Sequence, residues 1–447
     1  MRRRVLTLAV GALALLGCDA LKAAAVPDNP LWMHHPGGAL SVFERRVLTN
    51  PNRLEGEPYE RGQAEIDWRH LRLFVGSSDR GLYCLNAQNL DVLWRFETRG
   101  PVQGEPLYVD DEDAVYFGST DGALYKVAAK DGALLWRFNS NSEVAKRPVL
   151  DGDTLYVTNA NDTLIAIERT TGKLKWHQHR TPAFGIQISG YAGPAISHEP
   201  GFEGKIFTAY SDGTAMAYST TDGAEAWPVV DLALAAPGAT EGEPPQYLDV
   251  DTTPVLTTTK AGPAVIVASY AAGVFALKPE GGSELWHNAD IRGVTELTLF
   301  EQPAPKEEMK VGAMLVKARH ILVASSGSTG LWGIDVDTGQ QLWRKKLPEG
   351  GMSGAVQVQG ALLVSTSRYG LFLFSPLDGN VIDGIAPGNE ISMRPAARGS
   401  KAFVMTNAGE LMSLLVSPPY ISKPQKLPEP EKTPEPEKKP EPEPEKK

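Results

Sequence analysis

A unit of about forty residues recurs eight times along this chain, and tandem repetition at that period leaves few folds open. The first three copies are LFVGSSDRGLYCLNAQNLDVLW (73–94), VYFGSTDGALYKVAAKDGALLW (115–136) and LYVTNANDTLIAIERTTGKLKW (155–176). IFTAYSDGTAMAYSTTDGAEAW (206–227), VIVASYAAGVFALKPEGGSELW (265–286) and ILVASSGSTGLWGIDVDTGQQLW (321–343) follow. LLVSTSRYGLFLFSPLDGNVID (362–383) lacks the Trp, and AFVMTNAGELMSLLV (402–416) stops early.

Each unit alternates apolar and polar residues through two strands, crosses a Gly-containing turn, and ends in a third strand carrying Trp. A poorer fourth strand precedes it, opened by Pro106, Pro148, Pro194, Pro254 or Pro395, where a missing N–H costs no ladder bond. Four strands per unit predict an all-β, eight-bladed β-propeller of four-stranded antiparallel blades over residues 31–416. The alternative, a seven-bladed ring with one unit outside, leaves one of eight matching copies unexplained. Gly132, Gly172, Gly223, Gly282, Gly339 and Gly379 recur at one turn, as a position needing positive φ requires. Trp94, Trp136, Trp176, Trp227, Trp286 and Trp343 recur on the outer strand, where a large flat ring can seal one blade to the next. The eighth unit lacks its last strand and would leave an unpaired edge. NPLWMHHPG (29–37) carries Trp32, so residues 31–35 are expected to complete the final blade and close the ring.

The ends of the chain read differently. Arg2, Arg3 and Arg4 followed by VLTLAVGALALL form a signal segment, expected to span residues 1–17. It ends in LLGC, which resembles the bacterial lipobox; the resemblance implies lipidation of Cys18, with residues 18–30 as a tether. That places the protein on the outer membrane facing the periplasm. Asp19 resembles an inner-membrane retention signal, so the choice of membrane stays open. Cys84 is the remaining cysteine and sits in an apolar strand, which leaves no pair for redox or metal work. Residues 417–447 run into Pro, Glu and Lys and read as a solvated extension with little to bury.

A net charge of -10 argues against non-specific nucleic-acid binding, which relies on a basic surface to displace counterions. No Ser-His-Asp spacing, phosphate-cradling Gly loop or metal cluster emerges, so neither catalytic nor metal-binding residues are assigned. His177 and His179 alternate on one strand without a third ligand nearby. Asp79, Asp121 and Asp212 stand in hairpin turns, where they are expected to satisfy backbone donors. YLDVDTTPVL (247–256) raises the sharper question, because two aspartates stand one residue apart before a strand.

The repeats, with their turn Gly and Trp, resemble the quinoprotein-like propeller family. One branch holds dehydrogenases that use pyrroloquinoline quinone and calcium. Their vicinal cysteine pair is missing here, and alternation on an extended segment would point Asp249 and Asp251 to opposite faces. The other branch is the BamB family of lipoproteins of the outer-membrane β-barrel assembly machinery, a scaffold without cofactor or small-molecule substrate. LDVDTTPV (248–255) closely matches that family's segment between the fourth and fifth blades. The resemblance implies that Asp249 and Asp251 help bind POTRA domains of BamA; the alternative is turn capping ahead of a Pro-led strand, one aspartate capping while the other faces solvent. FGIQISGYAGPA (184–195) is similar to the family's second contact loop; its two aliphatics fall on Ile186 and Ile188, and its arginine falls on Ser189. A dehydrogenase, and a periplasmic propeller with another partner, remain the alternatives.

Overall fold

The computed structural model describes residues 38–417 apart from Glu55, 183–190, 238–246, 303–309, 312–313, 316–318 and 347–349. The described residues form eight antiparallel sheets in ring order, with one small extra hairpin (Lys310–Val311 with Met314–Leu315) on blade six. Blade one comprises Glu65–Asp67, Arg72–Ser77, Gly81–Asn86 and Val92–Glu97, each strand paired with the next. Blades two, three, five, six and seven repeat that order. In blade four the innermost strand shrinks to one bridge, Ala195 with Phe207, and the outer one to Val230–Asp231. Among the described residues no helix is long and apolar enough to cross a membrane.

The middle strands of each blade, such as Arg72–Ser77 and Ala361–Thr366, are buried on both faces, because each sheet packs against a sheet on either side. The repeats therefore read as short apolar runs rather than strict alternation. The joints between blades explain the Trp and Gly. Each Trp ring lies over the Gly turn of the following blade: Trp94 over Gly132, Trp136 over Gly172, Trp176 over Gly223, Trp227 over Gly282, Trp286 over Gly339 and Trp343 over Gly379. All six glycines have φ between 67° and 76°. At Gly132 a Cβ would approach the Trp94 ring to 2.7 Å, so both the φ and the ring demand glycine. Five of the indoles donate Nε1–H to a carbonyl of the same turn at 2.8–3.0 Å: to Ala129, Arg169, Pro279, Val336 and Pro376. Trp176 is the exception, and there the corresponding carbonyl, Thr220, accepts the Tyr156 hydroxyl.

The ring closes through an N-terminal strand, but not where Trp32 suggested. Residues 31–35 lie outside the described residues, and the outer strand of blade eight is Leu40–Val47, paired antiparallel with Glu410–Val416. A bulge at Phe43 matches the bulge next to the Trp of blades one, two, three, five and six, which puts Glu44 opposite Ser413 where those blades place the indole. With no indole to receive, the following turn carries Leu90 at the glycine position, at φ 58° and 1% exposed. Lys401 Nζ donates to Ala87 O at 3.3 Å, replacing the indole N–H, while Arg46 reaches Leu90 O and Asp91. One joint earlier Asp383 stands at the Trp position, 3% exposed, and accepts the N–H groups of Ala39 and Leu40 at 2.7 and 2.8 Å. The physical reason is chain connectivity. The closing strand and the strand it pairs with lie far apart in sequence, so no hairpin turn joins them to satisfy those donors. A buried cluster running through blades seven, eight and one, including Leu373, Phe403 and Leu73, fills the seam.

From the closing strand the chain runs through residues 48–64 to the inner strand of blade one. Glu60, fully buried, fastens this link: its carboxylate accepts from the Thr49 and Ser77 hydroxyls and from the N–H and hydroxyl of Ser78.

Candidate functional site

The segment from Tyr247 to Pro254 crosses from blade four to blade five and is stitched down on several sides. Val250 N–H donates to Tyr210 O, and Asp249 O accepts from Tyr270 N–H at 3.0 Å. Thr252, fully buried, exchanges two bonds with the backbone of Ala268, while Thr253 Oγ1 accepts from Gly193 N–H at 2.9 Å. Lys146 of blade three donates to Asp251 O at 3.3 Å.

Asp249 and Asp251 are 1% and 7% exposed, which corrects the expectation that one of them faces solvent. The Asp251 carboxyl is pushed up to about 7, first by burial and then by the negative charge of Asp249, with Asp162 adding to it and Lys146 opposing. Asp162, at the tip of a blade-three hairpin, accepts from the N–H and hydroxyl of Ser211. Its carboxyl is also raised, mainly by burial. Oδ1 of Asp251 has no hydrogen-bond partner among the described residues. Three carboxyls, one from blade three and two from the connection between blades four and five, thus share one buried corner.

Ile186, Ile188 and Ser189 fall within 183–190, outside the described residues; Cys18 lies outside them too. The residues that flank 183–190 are held at the same corner. Arg180 N–H donates to Asp162 O, and its guanidinium pairs with Asp212 at 2.8 Å. On the far side the Tyr191 hydroxyl accepts from Ala145 N–H and donates to Glu143 O, and Gly193 is tied to Thr253. The residues flanking 183–190 and the 247–254 segment therefore meet on blades three to five.

The axis of the ring encloses a polar space of about 510 Å³ lined by residues such as Glu105, Lys146, Arg147, Tyr191, Glu296 and Arg394. Arg147 is engaged on both sides, by Glu65 at 3.1 Å and Glu105 at 2.6 Å. Among the described residues Tyr191 is the single aromatic member of the lining, and its hydroxyl is committed to backbone partners. Among the described residues a planar quinone would meet no cysteine pair and no second aromatic ring there. Among the described residues no three His, Cys, Asp or Glu side chains could hold a metal ion. The lining does not fit a quinone and calcium.

The remaining candidates have structural roles. His177 and His179 are exposed on the outer strand of blade three, His179 against Thr163 at 3.1 Å. Asp79, Asp121 and Asp212 serve their hairpins; Asp121, for example, accepts from the Ala123 and Arg99 N–H groups. Sequence reasoning missed Asp162, Lys146, Tyr191 and Asp383. For Asp383 a signal existed, since it stands where the repeat calls for Trp.

The fold defines the class: an all-β, eight-bladed propeller of four-stranded antiparallel blades. The family model described as outer membrane protein assembly factor BamB matches residues 80–302 and 258–417, and the chain belongs to that family. Among solved structures it resembles BamB from Moraxella catarrhalis, with a TM-score of 0.65 and 16% identity over 84% of this chain and 99% of the other. It also resembles a quinohemoprotein alcohol dehydrogenase from Pseudomonas putida HK5, with a TM-score of 0.60 and 10% identity over 88% and 78%. Sqt1 from Saccharomyces cerevisiae gives 0.62 and 9% identity over 84% and 99%. At such identities these likenesses speak to the fold alone. No curated protein sequence matches the chain.

Proposed function

We propose that this chain is a non-enzymatic scaffold of the outer-membrane β-barrel assembly machinery, docking POTRA domains of a BamA-like protein at the corner of blades three to five. Family membership carries the reading. Its local support is the meeting, at one corner, of the residues flanking 183–190 with the 247–253 segment. Ile186 and Ile188 supply the apolar centre of the contact, and Ser189 leaves it without a basic arm. Asp249 and Asp251, being buried, act chiefly by holding the corner in shape, and they meet a partner's cation only where docking opens it. Removal of residues 1–17 and lipidation of Cys18 tether the ring through 18–30 to the outer membrane on its periplasmic side; Asp19 makes the inner membrane the second address. Residues 417–447 serve as a solvated extension.

Retention of the full chain by immobilised POTRA domains tests the reading. Ile186→Asp/Ile188→Asp should lose retention at least tenfold while keeping the far-ultraviolet spectrum of the parent. Equal retention by parent and double variant would remove these residues from the interface.

A further inference from the structure

The joint that closes the ring is built unlike the other joints. Six joints carry an indole over a glycine turn, whereas the closing strand Leu40–Val47 carries Glu44 at that position. Of its eight residues only Leu40 is buried; Val42 and Arg46 are partly covered, and Phe43 and Val47 are 58% and 73% exposed. What holds it is chiefly the backbone ladder to Glu410–Val416, the Asp383 carboxylate on two N–H groups, and the surface ion pairs Arg45–Glu410 and Arg46–Asp91. Exposed ion pairs contribute little. No hairpin connects it to its neighbour: its covalent link to the ring is the 48–64 stretch, which Glu60 fastens independently. Beneath it, Glu410–Val416 is buried along most of its length and hydrogen-bonded on its other side to Lys401–Met405, so that strand stays ordered when the outer one leaves.

We propose that Leu40–Val47 is an exchangeable strand latched by Asp383, and that the edge of Glu410–Val416 beneath it is a binding site for an extended segment supplied in trans. The segment that fits has the chemistry of the closing strand itself. It presents two free N–H groups at its start for Asp383, an apolar side chain at the Leu40 position, and a cation at the Arg46 position for Leu90 O and Asp91. Strand addition of this kind draws its affinity from main-chain bonds and its selectivity from alternate side chains. Strand exchange also accounts for the Asp that replaces Trp at residue 383. An indole would seal a covalent hairpin, whereas the first N–H groups of a strand that enters the sheet without a hairpin require an acceptor. The proposal stands independently of POTRA docking.

Hydrogen exchange on the full chain, read by peptide mass spectrometry, gives the first test. The amides of 40–47 should exchange at least tenfold faster than those of Val92–Glu97, the outer strand of blade one, and Asp383→Ala should widen that gap without changing blade one. The second test uses a fluorescent synthetic peptide of residues 39–48. Its capture by the full chain should be slow and saturable, faster in Asp383→Ala, and abolished when Val42→Cys/Leu414→Cys, which face each other across the ladder, are oxidised to a disulfide. Equal exchange in the two outer strands, or undiminished capture by the locked variant, would overturn the proposal. If Asp383→Ala does not fold, the parent's exchange rates and the locked variant still decide.

Discussion

Replacing Asp251 by asparagine should stabilise this protein, and more so the higher the pH. The side chain is almost wholly buried, beside Asp249 and Asp162, with its Oδ1 lacking a hydrogen-bond partner among the described residues. Its carboxyl is raised from the ordinary 3.8 to about 7. A carboxyl raised on folding binds its proton more tightly in the native state. Its contribution to stability is therefore complete below the ordinary carboxylate range and is lost as pH climbs through the folded value. At about 1.4 kcal/mol per pH unit, that displacement makes Asp251 a burden of roughly 4 kcal/mol at pH 8, where it is held ionised, and about 1.5 kcal/mol at pH 5, where folding must protonate it. The amide of Asp251→Asn cannot ionise and keeps the shape. Urea unfolding followed by Trp fluorescence at both pH values measures the difference, with the slope of the transition checked for constancy. The midpoint of Asp251→Asn should exceed that of the parent clearly at pH 8 and only slightly at pH 5. A variant less stable than the parent at both, or a gap that does not narrow on acidification, would refute the burial of an ionisable pair at this corner.

Two further outcomes follow from the packing. Gly132→Ala must place a Cβ at φ 75° and within 2.7 Å of the Trp94 ring, so it should lower stability by about 2–4 kcal/mol in chemical denaturation, whereas Leu90→Gly, at the equivalent but indole-free joint, loses core volume instead; restoring stability to Gly132→Ala by Trp94→Leu would tie the penalty to the ring. Cys84 is fully buried and its thiol is pushed up to about 12, chiefly by burial, so it should resist a thiol reagent at pH 8 in the native protein and react on unfolding; fast native labelling would contradict its place between the blades.

The fold was legible because one repeat places the same two marks, an indole and a glycine, at every ordinary joint, and both have a local cause that sequence displays. At the seam the marks vanish together. Glu44 replaces the indole, Leu90 the glycine, and LSVFERRV carries three charges and no strand-like alternation, so the sequence pointed to Trp32 instead of residues 40–47. The candidate corner was legible as a pair of segments but not as an environment. That Asp249 and Asp251 are buried depends on Asp162 and Lys146, which lie about a hundred residues away and enter only through the ring geometry. Alternation along an extended chain predicts opposite faces, yet a connector packed on both sides by neighbouring blades has no open face to offer.

The scaffold reading is tested most directly in the intact cell. A photo-crosslinking residue at Ile188 of the full-length, lipidated chain, followed by mass spectrometry of what is captured, should give a BamA-like protein through its POTRA peptides. Capture of unrelated proteins without it, or quinone-dependent dehydrogenase activity in the purified chain, would contradict the reading.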